Sequence, residues 1–417
     1  NNASIPGSST LNSSTWLAPD YNAMYNAFAG ANFFQAKEDF RRTYYIKEEV
    51  ATAFVQLDFR NYIFDKELRS NVGVRYVDNK NTSRIVNLDH IYKDGFTAGR
   101  GDGANYAAGY GWRESVSEGD EWLPSLNLAY DITEDLVGRF SYSHAITRPK
   151  LSDLRSSISI NTPSIDDPSA TIKMGAGPSL KPYKAKQYDV GLEWYFAEES
   201  LLATSLFYKN ISGLTKASSE QVLSQADLDR LGIDLGDTDP STVTWQVSQL
   251  VNTDAEGMWG AEFIYQQPFT FLPEPFNALG LQTNYTYIDY TRDIEDPFYG
   301  TQLNLVEEET SKNTYNITLY YQVDDWSARF SYNYRSGYNK QYLDEYKDES
   351  TFVRGYDAKA KLNFSARYKL TDKMSVSFEA VNLTDEKQDM WNDIYTPRPY
   401  ENLSSGRQFL VGLRGTF

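Results

Sequence analysis

The side chains best suited to recognise a ligand are aromatic and fall in polar stretches: Trp16, Tyr21, Tyr25, Tyr106, Tyr110, Trp112, Tyr299, Tyr338, Tyr342, Tyr346, Trp391, Tyr395 and Tyr400. Asp, Asn, Gln and Arg are interleaved with them. Flat aromatic faces stack on the C–H faces of sugar rings, and neighbouring amides and carboxylates hydrogen-bond the hydroxyls, so the set suits an oligosaccharide ligand. The competing use for such rings is to pack loops on one another or to sit at a lipid–water boundary. Arg148 is a further candidate, placed to meet a carboxylate of a ligand or of another part of the protein. Its run Thr147-Arg-Pro-Lys-Leu-Ser-Asp153 lies just past a strand exit, where Pro149 offers no N–H and halts the ladder.

Covalent chemistry has few means here. The 417 residues include no Cys and only two His, His90 and His144. That excludes a disulfide framework and thiolate metal sites, and argues against zinc or haem held by His. No G-x-S-x-G elbow, P-loop or H-E-x-x-H run occurs, so neither an enzyme nor a cofactor is expected. Asp234, Asp237 and Asp239 could hold calcium, but their spacing misses the EF-hand pattern and a solvated acidic loop is the simpler reading. The net charge of −17 argues against nucleic acid as a partner, because phosphates need a basic stripe.

The elements that must carry these loops are strands. No run approaches the ~20 apolar residues of a membrane-spanning helix. Mean hydropathy is −0.56, which suits a water-soluble β protein and equally a transmembrane barrel, since only alternate residues of a barrel strand meet lipid. Alternation is clear in Ser125–Ile132, with Leu126, Leu128, Tyr130 and Ile132 on one face, and in Gln187–Phe196, with Tyr188, Val190, Leu192, Trp194 and Phe196. It recurs around Arg329 and Lys361. Aromatic residues gather towards the segment ends, as an interfacial girdle requires. About thirteen strands are predicted: near 43–60, 68–83, 121–132, 136–148, 185–196, 201–213, 244–267, 279–293, 309–323, 326–338, 356–370, 374–386 and 404–417.

Connections alternate between short turns, such as Ile132–Asp135, Ala197–Ser200, Val323–Asp325 and Leu370–Lys373, and long polar loops near 84–120, 149–184, 214–243, 292–309, 338–356 and 387–403. Short turns on one rim and long loops on the other are the periplasmic and extracellular sides of an outer-membrane barrel. Residues 1–42 read as an extracellular loop segment. Within 214–243, Ser218–Leu231 has a helix-capping pattern followed by Val222, Leu228 and Leu231, which predicts a short loop helix. The inward charges Arg139, Glu193, Glu262, Arg329, Arg335, Lys361, Arg367 and Glu379 are expected to pair along the wall. The last strand places Phe409, Val411 and Leu413 at every second position and ends on Phe417.

These residues resemble a known family. Ser141-Tyr-Ser-His-Ala-Ile-Thr-Arg-Pro-Lys-Leu-Ser-Asp-Leu154 and Leu180-Lys-Pro-Tyr-Lys-Ala-Lys-Gln-Tyr-Asp-Val-Gly-Leu-Glu-Trp-Tyr-Phe196 are similar to segments of TonB-dependent outer-membrane receptors. The likeness is greatest to the branch common in Caulobacter-, Xanthomonas- and Alteromonas-like bacteria. Gly260–Pro273, Ala380–Glu386 and the terminal Phe417 fit the same family, so the resemblance runs from about residue 43 to 417. It implies an all-β, transmembrane antiparallel barrel in the bacterial outer membrane, with residues 43–417 supplying the carboxy-terminal thirteen or so of 22 strands. The plug, which the TonB–ExbB–ExbD complex pulls, would then lie outside these residues.

The resemblance further implies active uptake of a scarce ligand, with outer-membrane lipid and lipopolysaccharide around the wall. An oligosaccharide is the leading cargo; an iron–siderophore complex or cobalamin is the alternative. From other classes come a passive porin or a surface adhesin, of which the porin would be an intact barrel of even strand number with no plug, and a soluble β-sandwich lectin, which would bury its apolar faces under a second layer.

Overall fold

The computed structural model describes residues 44–86, 112–156, 158–161, 170–222, 245–252, 256–296, 299–342 and 353–416. Among them the strands run in chain order β1 (Tyr44–Ile63), β2 (Lys66–Val86), β3 (Trp112–Asp131), β4 (Leu136–Thr147), β5 (Ile158–Asn161), β6 (Ala170–Met174), β7 (Tyr183–Ala197), β8 (Ser200–Ser212), β9 (Thr215–Val222), β10 (Trp245–Asn252) and β11 (Glu256–Pro268). There follow β12 (Leu279–Glu295), β13 (Gln302–Val306), β14 (Asn313–Val323), β15 (Trp326–Arg335), β16 (Tyr338–Tyr342), β17 (Val353–Tyr356), β18 (Lys359–Thr371), β19 (Met374–Val381), β20 (Lys387–Asn392), β21 (Arg398–Ser404) and β22 (Gln408–Gly415). Thirteen of these form one continuous antiparallel wall in the order β1-β2-β3-β4-β7-β8-β11-β12-β14-β15-β18-β19-β22, with β13 branching from β12.

Cross-strand register sorts the wall into two unlike faces. One row pairs Leu128 with Phe140, Phe140 with Val190, Val190 with Leu206, Leu206 with Ala261 and Ala261 with Tyr287. The opposite face carries Asp58, Asn71, Asn127, Ser141 and Asp189 in successive register. A one-residue slip anywhere would put carboxylates among the leucines, so the register is strongly specified. On the polar face Arg139 makes two hydrogen bonds to Glu193 at 2.6 and 3.0 Å, and the Tyr195 hydroxyl donates to the same carboxylate at 2.8 Å. Asn333, Asn316 and Asn284 form an amide ladder at 2.5 and 2.8 Å.

Among the described residues no second layer covers the apolar face. Val190 is 53% exposed, Leu206 60% and Val411 78%, whereas a sandwich would bury such residues. A continuous apolar surface on this scale needs lipid against it. The limits of the lipid band are visible on β2 and β3. Outward pairs run from Leu68–Tyr130 through Val72–Leu126 to Tyr76–Trp122, a span of nine residues, against the ~9–11 that a tilted strand needs to cross the hydrocarbon. Tyr76 and Trp122 pack with ring centroids 4.8 Å apart. Beyond them the same face becomes charged, with Lys80–Glu118 at 2.6 Å and Arg84–Glu114 at 2.9 Å. Tyr142, Tyr188 and Tyr208 extend the aromatic belt along the wall.

The short turns lie on one rim as predicted, and the hairpin β1–β2 adds another at Phe64-Asp65, both residues at positive φ as a tight hairpin requires. The other rim differs from expectation. Parts of the long loops fold into two four-stranded sheets, β5-β6-β10-β9 and β16-β17-β20-β21. The strand predicted over 244–267 is two, β10 and β11, in different sheets. The helix predicted over 218–231 is overturned at its start, because residues 218–222 belong to β9 and pair antiparallel with β10; edge pairing outweighs the local capping pattern. Residues 223–231, and Asp234, Asp237 and Asp239, lie outside the described residues.

Candidate functional site

Two separate groups of candidate residues stand on the long-connection rim. The sheet β16-β17-β20-β21 extends the wall above β15, β18, β19 and β22. It carries Tyr338 and Tyr342 at the two ends of β16, Trp391 in β20, Tyr395 in the β20–β21 turn and Tyr400 in β21. Tyr299 sits in the turn between β12 and β13, distant in sequence yet in contact. The Tyr299 and Tyr395 rings meet edge to face, centroids 5.7 Å apart and planes at 90°.

Two buried carboxylates hold this pair. Asp296 is fully buried; it accepts the Tyr395 hydroxyl from 99 residues away and the Tyr299 backbone N–H at 3.0 Å. Its own backbone closes the turn, through Asp296 N–H to Thr301 O and Gly300 N–H to Asp296 O, each 2.8 Å. Asp393 does the same for the second turn, accepting the N–H groups of Tyr395 at 2.9 Å and Thr396 at 3.2 Å. Such Asx hydrogen bonds favour turns over regular structure. The hydrogen bond to the Asp296 carboxylate pushes the Tyr395 phenol up to about 12. Both rings remain more than half in solvent or close to it, Tyr299 at 57% and Tyr395 at 50%.

Trp391, Tyr338 and Tyr400 in this sheet are engaged in packing. Trp391 lies opposite Gly355 in register, over a position where any Cβ would collide with the indole. The Arg335 guanidinium stacks on Tyr338 at 3.9 Å and the Arg354 guanidinium on Tyr400 at 4.3 Å. Beside Tyr338, Lys340 pairs with Glu309, whose carboxyl this hydrogen bond holds below the usual range.

Arg148 belongs to the second group. Its guanidinium meets Glu48 of β1 at 3.0 Å, and the segment after it folds against the polar face of the first hairpin. There Leu154 is fully buried, the Ser156 N–H donates to Ser83 Oγ at 3.2 Å, and Arg155 lies over Tyr44 at 5.2 Å. Among the described residues the contacts of Arg148 are therefore with the first hairpin and not with Tyr299 or Tyr395. Trp16, Tyr21, Tyr25, Tyr106, Tyr110 and Tyr346 lie outside the described residues, and Trp112 and Tyr342 are placed by backbone alone. Among the described residues no three carboxylates or imidazoles converge as a metal site needs.

Asp296, Asp393 and Asn382 were not singled out from sequence. Asn382 is buried at positive φ, donating to Glu386 O and Gly406 O at 3.1 and 3.0 Å. It ties the end of β19 to the start of β22. The signals were local: Asp-Pro-x-x-Gly at 296–300 and Asp-x-Tyr-Thr at 393–396 are turn chemistry.

Comparison with known proteins agrees with this architecture. A family model, TonB dependent receptor-like, beta-barrel, matches residues 2–383. No curated protein matches the sequence. Among solved structures, the ferric enterobactin receptor PfeA of Pseudomonas aeruginosa aligns with TM-score 0.54 at 15% identity, covering 89% of this chain and 55% of that one. The siderophore receptor PirA of Acinetobacter baumannii gives 0.52 at 14%, over 89% and 55%. The copper transporter OprC gives 0.54 at 14%, over 89% and 48%. The chain thus spans about half the length of these structures. At such identities the likeness is one of fold, and the family model together with the two-faced wall establishes that this chain belongs to the TonB-dependent receptor β-barrel family of the bacterial outer membrane.

Proposed function

We propose that the chain is the wall and part of the ligand-facing rim of an active transporter, coupled to the TonB–ExbB–ExbD complex through a plug, and that its cargo is an oligosaccharide. The observation that carries the cargo reading is the Tyr299–Tyr395 pair: two exposed rings at right angles, fixed by buried carboxylates. A pyranose offers a C–H face to one ring and its hydroxyl rim to the polar groups around them. The net charge of −17 suits a neutral glycan better than an anionic ferric chelate.

Calorimetric titration of the intact receptor with neutral oligosaccharides tests the reading. Binding that Tyr299→Ala and Tyr395→Ala weaken at least about tenfold, ~1.4 kcal/mol, supports it. Binding of ferric siderophores with no response to any glycan would replace the cargo, as the names of the siderophore receptors PfeA and PirA would suggest.

A further inference from the structure

We propose that Asp296 is the positioning residue of this rim: it locks two hairpins, β12–β13 and β20–β21, so that Tyr299 and Tyr395 form one preorganised aromatic clamp before ligand arrives. The inference rests on the glycan reading for its ligand class, but the locking itself stands on geometry. A fully buried carboxylate needs partners that satisfy it. Asp296 takes them from both sides of the clamp, the Tyr395 hydroxyl and the Tyr299 N–H. One side chain therefore sets the relative placement of rings 96 positions apart in the chain.

The arrangement separates two roles within each tyrosine. The Tyr395 hydroxyl points inward and is spent on Asp296, while its ring stays half exposed beside Tyr299. Ordering flexible side chains on binding opposes affinity, and a rim ordered in advance avoids that opposition. Tyr395→Phe keeps the ring and deletes only the anchor, so it distinguishes positioning from stacking. Asp296→Ala removes the anchor from the other side.

Amide hydrogen exchange on the intact receptor without ligand reads the lock directly. In Tyr395→Phe, exchange at the Tyr299 amide, on the loop that is not altered, is expected to accelerate about tenfold, with the wall strands unchanged. Asp296→Ala is expected to accelerate exchange at both 299–301 and 393–397. Changes confined to the altered loop in both variants would overturn the inference. In the binding arm, Tyr395→Phe is expected to weaken glycan binding roughly three- to tenfold, less than Tyr395→Ala. A Tyr395→Phe receptor that binds as tightly as the parent overturns the positioning role even if the loops are coupled. If the parent binds no glycan, the cargo reading fails, and the exchange arm alone still decides whether Asp296 couples the loops.

Discussion

The two ends of the described rim use polar and aromatic residues in opposite ways. Around Arg148, the motif after β4 turns inward: an ion pair to Glu48, a fully buried Leu154 and a hydrogen bond to Ser83 bind it to the first hairpin. At Tyr299 and Tyr395 the backbone and one hydroxyl are fixed while the rings are left to solvent. Residue type did not separate the two ends. What separates them is where the hydrogen-bonding capacity goes: at Arg148 it is consumed within the chain, whereas at the clamp it is used to hold apolar faces outward. Trp391, whose indole covers Gly355, is likewise engaged within the chain.

The sharpest break between the ends is expected from Leu154→Ala. It should cost ~2–5 kcal/mol of stability, as for a fully buried leucine, measured by denaturant unfolding, with glycan affinity unchanged. Gly355→Ala comes next, costing about 1–3 kcal/mol by forcing Trp391 off its seat; it should also shift tryptophan fluorescence. Tyr299→Ala should do the reverse of Leu154→Ala, lowering affinity at least about tenfold while leaving the unfolding midpoint in place. Arg148→Ala should change stability by about 1 kcal/mol or less, since its partly exposed pair is solvent-screened, and should leave binding alone. If Arg148→Ala abolishes binding, the contrast between the two ends fails.

The smallest effect is a pH dependence. The Tyr395 phenol is raised to about 12 from an ordinary value near 10, so its folded state holds the proton more tightly than the unfolded state. The anchor's contribution is fully present below about pH 10 and is lost as pH climbs through about 12. Subtracting the phenolate absorbance of Tyr395→Phe from that of the parent should show one tyrosine ionising late. A difference titrating near 10 would place no such anchor there.

Strands were legible because lipid on one side and water on the other impose a period of two, and the thirteen predicted strands correspond closely to the wall. The rim was less legible. Residues 338–356 and 387–403 mix tyrosines with charges and carry no alternation, so β16, β17, β20 and β21 read as loop. Trp245–Asn252 and Glu256–Pro268 read as one strand because both are rich in strand-forming residues and only Thr253–Ala255 divides them. Asp296 was invisible as a lock because its partner hydroxyl lies 99 residues on; its turn signal was readable, its destination was not.

One face of this wall meets hydrocarbon and the other meets water. The chain has no Cys, so single cysteines carrying a nitroxide can be placed at each position from Gln187 to Trp194 in the intact receptor reconstituted in bilayers. Collision with oxygen dissolved in lipid is expected at Tyr188, Val190, Leu192 and Trp194, and with a water-soluble relaxing agent at Gln187, Asp189, Gly191 and Glu193. Equal access of the water-soluble agent to both sets, with no alternation, would contradict it.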